Sequence, residues 1–263
     1  TLWHTLSLHD ALPILFFSKY TDGDEEVTFE REDLERAAKT LRIKLPKNLG
    51  DVIYSIRYRT ELPPRILKTQ SEGKEWIIEG RGRGLYCFRL VTENRIVPNT
   101  QLAAIKVPDA TPEIVASYAL SDEQALLAKV RYNRLIDVFL GVATYSLQNH
   151  LRTTVRDLGQ VEIDEIYVGI DKRGAQYVLP VQAKGGTDQL SVVQTKQDIA
   201  CCQEKFPNLE CRAISAQFIA ADLIALFELT LDDGMVRIVE EKHYRLVPGD
   251  HITAEDLQAY ARR

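Results

Sequence analysis

Between Thr144 and Lys184 the chain carries three consecutive strand-like runs, TYSLQNHLRTTV, QVEIDEIYVGID and AQYVLPVQAK, parted only by turns built on DLG and KRG. This feature constrains the fold most, because period-2 or apolar runs bounded by turn residues predict strands that pair with their neighbours. A helix is expected before them. Ser121 followed by Gln124 forms a capping-box pattern, and Ala125, Leu126, Leu127, Val130, Leu135, Ile136 and Phe139 recur at helical spacing. A second helix is expected from about Leu190 to Phe206. Two further runs follow, CRAISAQFIA as a strand and LIALFELTL as a strand or a helix. The order helix, three strands, helix, strand predicts an α/β sandwich around a mixed sheet. The last segment, FELTLDDGMVRIVEEKHYRLVP, adds a hairpin around DDG that either extends the sheet or forms an interface.

Upstream, Glu32 to Leu41 has helical spacing with Leu34, Ala37, Ala38 and Leu41 on one side. Pro46 interrupts it, and Asn48 is placed to cap a second helix, LGDVIYSIRYR, which Pro63 and Pro64 end. EWIIEGRGRGLYCFRLV then reads as a hairpin broken at Gly80, Gly82 and Gly84, with Arg81 and Arg83 at its tip. Two short helices and a hairpin with a basic tip resemble a winged-helix domain. That resemblance implies a helix in the major groove and a wing on phosphate, with Arg57, Arg59, Arg81 and Arg83 as DNA contacts.

Charge supports the same division. The net charge is −5, yet Arg31 to Lys106 holds sixteen Lys/Arg against nine Asp/Glu, about +7, and the rest of the chain is acidic. A basic module beside an acidic one suits a DNA-reading domain joined to a metal-binding domain. The Pro-containing stretch VPNTQLAAIKVPDATPEIV is read as the join. The expected domains are therefore 15–106, a winged-helix-like DNA-binding module, and 121–263, with 107–120 as linker. Thr5 to Ile14, TLSLHDALPI, resembles a translated sequencing-adapter string, so residues 1–14 are set aside as an artefact.

The chemistry concentrates on two strands. Glu162 and Asp164 are two apart on one strand and share a face, as do Gln182 and Lys184 on the next. Hard oxygen ligands on adjacent strands suit Mg²⁺, and a nearby ammonium orients water or offsets phosphate charge. In PVQAKGG the polar pair interrupts an apolar strand, where an unpaired lysine is costly.

VEID followed after a short turn by VQAK resembles the motif of the PD-(D/E)XK nuclease superfamily, in the QxK variant of Mrr-like restriction endonucleases. The resemblance implies a restriction-endonuclease-like mixed sheet flanked by helices and a Mg²⁺-dependent DNA endonuclease of a restriction or defence system, with Mn²⁺ as a substitute. It implies Asp164 as principal metal ligand, with the Gln182 side-chain carbonyl or the Ala183 backbone carbonyl completing the site, and Lys184 as catalytic lysine. Gln182 stands where an acid is commoner. That removes one negative charge, for which Glu162 is the expected compensation. Double-stranded DNA, a second copy of the chain and a cognate DNA methyltransferase are the partners it admits.

Secondary candidates are Gln194 and Asp198, four apart on the following helix; Glu123, which opens the preceding helix; and Arg152, suited to a scissile-strand phosphate. His150 is a candidate proton carrier beside Gln148 and Asn149, though a structural histidine is the commoner role. Glu165 alternates to the opposite face and ranks low.

Other functions are poorly served. No apolar run reaches the ~20 residues of a membrane span. Cys87, Cys201, Cys202 and Cys211 follow no zinc spacing and read as reduced thiols of a cytoplasmic protein. There is no GxGxxG after a strand, no GxxxxGK[ST] loop and no GxSxG elbow. The rival expectation is a catalytically inactive DNA-binding regulator on a nuclease-like fold. An RNA-directed enzyme is a third, since metal chemistry is blind to the sugar.

Overall fold

A computed structural model describes residues 2–43, 53, 61–82, 84–92, 95–118, 122–185, 190–232 and 234–262. The protein is mixed α/β and divides into two compact units, Thr1–Asn94 with Thr154–Gln160, and Arg95–Thr153 with Val161–Arg263.

The first unit contains helices α1 (Leu2–Phe17), α2 (Arg31–Thr40) and α3 (Pro64–Leu67) and strands β1 (Glu26–Glu30), β2 (Lys74–Gly80) and β3 (Leu85–Thr92). The strands form an antiparallel sheet in the order β1-β3-β2. The expected hairpin is therefore present, with Gly82 and Gly84 at positive φ in its turn. Helix α2 starts where the sequence places it, because Glu30 and Asp33 cap each other's backbone. Burial opposes ionisation of Asp33, but the Glu30 N–H and the cations of Lys19 and Arg36 outweigh it and hold the carboxyl at about 2.

In the segment set aside as 1–14, Leu2 onward is helical, and Ala11 and Leu12 join Leu15 and Phe16 in the core. Phe16 packs edge-on against Trp76 and Phe88, with centroids 5.2 and 5.1 Å away. Pro64, expected with Pro63 to end the preceding helix, also opens α3, since its fixed φ and missing N–H suit a first helical position. Of the expected helix at 49–59 only Ile53 is among the described residues, buried in the core; Arg57, Arg59 and the tip residue Arg83 lie outside them.

The second unit begins with β4 (Arg95–Ile96), β5 (Ala104–Pro108), α4 (Glu113–Tyr118), α5 (Asp122–Tyr132) and α6 (Leu135–Leu140). Strands β6 (Ala143–Val155), β7 (Gly159–Ile170) and β8 (Gln176–Lys184) follow, then β9 (Leu190–Ser191) and helix α7 (Val192–Lys205). Strands β10 (Glu210–Cys211), β11 (Ala213–Ala220), β12 (Leu223–Asp232) and β13 (Met235–Val247) and helix α8 (Ala254–Ala261) complete it. The main sheet runs β5-β13-β12-β11-β8-β7-β6, and β10 also pairs with β8. Strand β7 is antiparallel to β8, whereas β11 returns through α7 to lie parallel to it.

Strand β8 is buried along nearly its whole length because apolar side chains cover both faces. Leu126, Leu127, Val130, Ile136 and Phe139 of α5 and α6 pack with Leu179, Val181 and Ala183 on one face. On the other, Val192 and Ile199 of α7 pack with Ala213, Ala225 and Phe227. A proline in such a central strand would forfeit a ladder bond. Pro180 falls at the seam where the parallel partner of β8 changes, from β10 at Tyr177 and Val178 to β11 from Val181 onward. Across that seam Arg212 grips Glu228 with two hydrogen bonds of 2.6 and 2.9 Å and lies over the Tyr177 ring.

The division of the chain falls at Asn94/Arg95 rather than after residue 106. The stretch read as linker, 107–120, contributes the end of β5, which pairs in parallel with β13 through Val107↔Leu246, and helix α4. Asn133 ties it down, accepting from the Ala110 N–H and donating to Asp109 and Thr111. The long helix expected from Ser121 breaks at Arg134, which takes a left-handed φ of +49°; Ser121 itself is outside the described residues. LIALFELTL is a strand, and the hairpin around DDG extends the sheet, with Asp232 paired to Met235.

Candidate active site

Turn chemistry aligns β7 with β8. Asp171 accepts from the N–H groups of Arg173 and Ala175 at 2.8 and 2.9 Å, and Gly174 supplies the positive φ. The resulting register pairs Glu165 with Val181, which sets Asp164 beside Gln182 on the neighbouring strand. The contact is direct. The backbone N–H of Ala183 donates to Asp164 Oδ2 at 3.0 Å.

Asp164 is partly buried, and burial raises its carboxyl above the ordinary range. The Ala183 N–H and the charges of Lys184 and His150 pull the other way, while Glu123 adds to the rise. These influences bring Asp164, Lys184, Glu123 and His150 into one electrostatic neighbourhood. Lys184 Nζ donates to Glu123 Oε1 at 2.9 Å, so the residue that opens α5 meets the end of β8. His150 sits on β6 with a φ of +48°, off the regular extended backbone of its strand.

Gln182 is only 1% exposed and points into α7. Its Nε2 donates to Asp198 Oδ2 at 3.0 Å and lies 3.4 Å from the Thr195 hydroxyl. The Gln182 carbonyl oxygen, by contrast, is buried without a hydrogen-bond partner, as is Asp198 Oδ1. Asp198 is 2% exposed, and burial pushes its carboxyl well above the ordinary carboxylate range, with the charge of Asp164 adding to the effect. Helix α7 starts at Ser191, whose hydroxyl accepts from the Gln194 N–H at 3.5 Å, and places Thr195 and Asp198 one turn apart on its inner face.

The chain matches no protein-family model, and no curated protein or solved structure is similar to it.

Asp164, Gln182 and Lys184 thus share one edge of β7 and β8, with Glu123 at the lysine. Glu162 is engaged elsewhere, in a 3.1 Å ion pair with Arg152 of β6. Gln194 is buried on α7. Glu165 is on the opposite face, 1% exposed, held by Arg131 and by the Tyr167 hydroxyl at 2.6 Å. Arg81, expected to touch DNA, pairs with Glu26 at 2.8 Å. Thr195 went unremarked in the sequence. Its spacing of three from Asp198 on a helix was the available signal.

Among the described residues no three His, Cys, Asp or Glu side chains gather as a metal cluster. The donor set is of another kind, one carboxylate with an amide carbonyl that nothing else satisfies. Asp164 and the orphaned Gln182 oxygen fit a hard cation, because Mg²⁺ takes oxygen donors and keeps several of its waters. No helix among the described residues is long and apolar enough to cross a membrane.

Proposed function

We propose that the protein is a Mg²⁺-dependent endodeoxyribonuclease of the PD-(D/E)XK type, with Asp164, Gln182 and Lys184 at its centre. One observation carries the proposal: the Ala183 N–H bond to Asp164, which locks the three residues of Gln-Ala-Lys against the carboxylate across the strand pair. The order helix, three strands, helix, strand, with β11 returning parallel to β8, supports it as the element order of that superfamily.

Asp164 and the carbonyl oxygens of Gln182 and Ala183 would hold the cation. When bound, Mg²⁺ supplies Lewis-acid polarisation of the scissile phosphoryl group. The remaining work belongs to the chain's own groups. Lys184 carries an ammonium that orients a water and offsets charge developing on the phosphate oxygens. Glu123 fixes that ammonium at the end of β8 until substrate competes for it. Arg152, exposed on β6 beside Glu162, would meet a backbone phosphate. The winged-helix-like module, with its excess of cations, would dock on the duplex and steer association. A restriction or defence role belongs to the same proposal, as do a homodimer and a partner methyltransferase.

The rival reading, a DNA-binding regulator without catalysis, draws on the amide at position 182, where one negative charge is missing. Plasmid and genomic DNA incubated with the intact protein and Mg²⁺ or EDTA separate the two. A nuclease cuts only with the metal, whereas a regulator binds DNA with a steep salt dependence and never cuts.

A further inference from the structure

We infer that Asp198 is the positioning residue for Gln182: the hydrogen bond it accepts from Gln182 Nε2 turns the amide so that its carbonyl oxygen faces away from α7 and toward a cation at Asp164. The inference rests on the nuclease reading and names what makes an amide workable at that site.

A glutamine amide is pseudo-symmetric, so a buried Gln has two orientations that fill the same space and differ only in which end donates. At Gln182 the surroundings choose. Asp198 Oδ2 stands 3.0 Å from Nε2, and a carboxyl oxygen accepts that bond in either protonation state. The Thr195 hydroxyl stands 3.4 Å from the same nitrogen, and it already donates to the Ser191 carbonyl at 3.1 Å, which leaves it an acceptor toward Gln182. Thr195 therefore takes only an N–H from Gln182, and Asp198 Oδ2 accepts one. A flipped amide would lose the Thr195 bond and would keep Asp198 only by drawing a proton onto Oδ2. The orientation that satisfies α7 leaves Oε1 buried with no partner. Such an oxygen is destabilising if nothing ever occupies it. The register that pairs Glu165 with Val181 sets residue Gln182 beside Asp164 across the strand pair, and the charge of Asp164 is felt at Asp198. A cation shared by Asp164 and Gln182 Oε1 removes the penalty.

The arrangement also accounts for an amide in place of an acid. A carboxylate at position 182 would have no hydrogen to give Asp198, and two acids would meet in a buried site. Asp198 and Gln182 thus form a matched pair, and changing either alone should upset the cation site.

The test is Mn²⁺ binding to the intact chain, followed by calorimetry and by the Mn²⁺ electron-paramagnetic-resonance signal, with circular dichroism to confirm folding. Asp198→Leu removes the acceptor and should weaken Mn²⁺ binding about 10- to 100-fold, the usual cost of losing a group that orients a metal ligand. Asp198→Asn keeps an acceptor oxygen and should stay within about threefold of wild type. In the Gln182→Glu background the same Asp198→Asn change supplies the missing N–H, so the double variant should bind Mn²⁺ about tenfold or more tighter than Gln182→Glu alone. A role confined to packing would not reverse its effect with the residue at 182. Folded Asp198→Leu that binds Mn²⁺ like wild type overturns the inference and leaves the nuclease reading standing. So does an Asp198→Asn effect that is the same in both backgrounds, which also decides the matter if Asp198→Leu does not fold. Wild-type protein that binds no Mn²⁺ overturns the nuclease reading and the inference together.

Discussion

Ala183 gives its backbone N–H to Asp164 Oδ2 across β7 and β8, at 3.0 Å, and so ties the carboxylate to the residue between Gln182 and Lys184. Asp164 is held in a site whose burial disfavours its charge. Its pKa is raised on folding, so the folded state binds protons more readily than the unfolded chain. Stability from this group is therefore lost as pH rises from the ordinary carboxylate value through the raised one, and the penalty is complete above it. Asp164→Asn keeps an oxygen for Ala183 and removes the charge. The metal-free variant should melt above metal-free wild type at pH 7.5, by roughly 2–4 °C per kcal/mol relieved, and the gap should close toward pH 4. Added Mg²⁺ or Mn²⁺ should raise the melting temperature of wild type and leave the variant unmoved. Differential scanning fluorimetry across pH and metal concentration measures both.

The ion pair between Lys184 and Glu123 makes a separate forecast. Lys184→Ala removes the ammonium and should lower Mg²⁺-dependent cleavage at least about 100-fold, the scale of losing one charge-stabilising or proton-handling group. Glu123→Gln keeps a hydrogen-bond acceptor and should cost less, on the order of tenfold. Because Glu123 adds to the rise of the Asp164 carboxyl, its removal should also move the acid side of the cleavage–pH profile downward. Single-turnover rates against pH for the two variants show whether the effects separate in this way.

How much of this was readable beforehand differs by residue. The neighbourhood of Asp164, Gln182 and Lys184 on paired strands was legible, because strand periodicity and a short turn fix which side chains share a face. Glu123 was legible only as a secondary candidate, since a helix start explains an acidic residue equally well, and its pairing with Lys184 was not legible. Glu162 shares a strand face with Asp164, as its spacing predicts, but its ion pair with Arg152 on the adjacent strand was not readable from local pattern. Asp198 was visible as helical spacing, but its bond to Gln182 depends on how α7 packs over β8, a long-range fact that no local pattern encodes. The same limit applies to β5. Nothing in the short run AIKVP announces a strand, because its pairing partner β13 lies more than a hundred residues away.

Arg131 and Glu165 test the opposite face. Glu165 is 1% exposed and takes its cation from Arg131, which is partly open to solvent. Arg131→Ala should destabilise the protein by about 3 kcal/mol, because it takes the cation away from a buried carboxylate that the Tyr167 hydroxyl also supports. Urea unfolding should show the loss as a lower midpoint, and Arg131→Ala/Glu165→Gln should recover part of it.

Gly169 tests the packing of β7 independently of charge. A Cβ there would meet Val142 Cγ1 at 2.8 Å and Leu179 Cδ1 at 3.2 Å. Gly169→Ala should cost about 1–3 kcal/mol by overpacking, with little change in cleavage by the fraction that stays folded. Chemical denaturation alongside active-site titration checks that split.

The central claim, that Asp164, Gln182 and Lys184 form a metal-dependent nuclease centre, meets its most direct test in one cleavage experiment. Supercoiled plasmid and genomic DNA, methylated and unmethylated, are incubated with the intact protein and with Lys184→Ala, in Mg²⁺ and in EDTA. Wild type should cut in Mg²⁺ alone, and folded, DNA-binding Lys184→Ala should be essentially inactive. Cutting that survives EDTA or the Lys184→Ala change, or DNA binding with no cutting of any substrate, would contradict the claim.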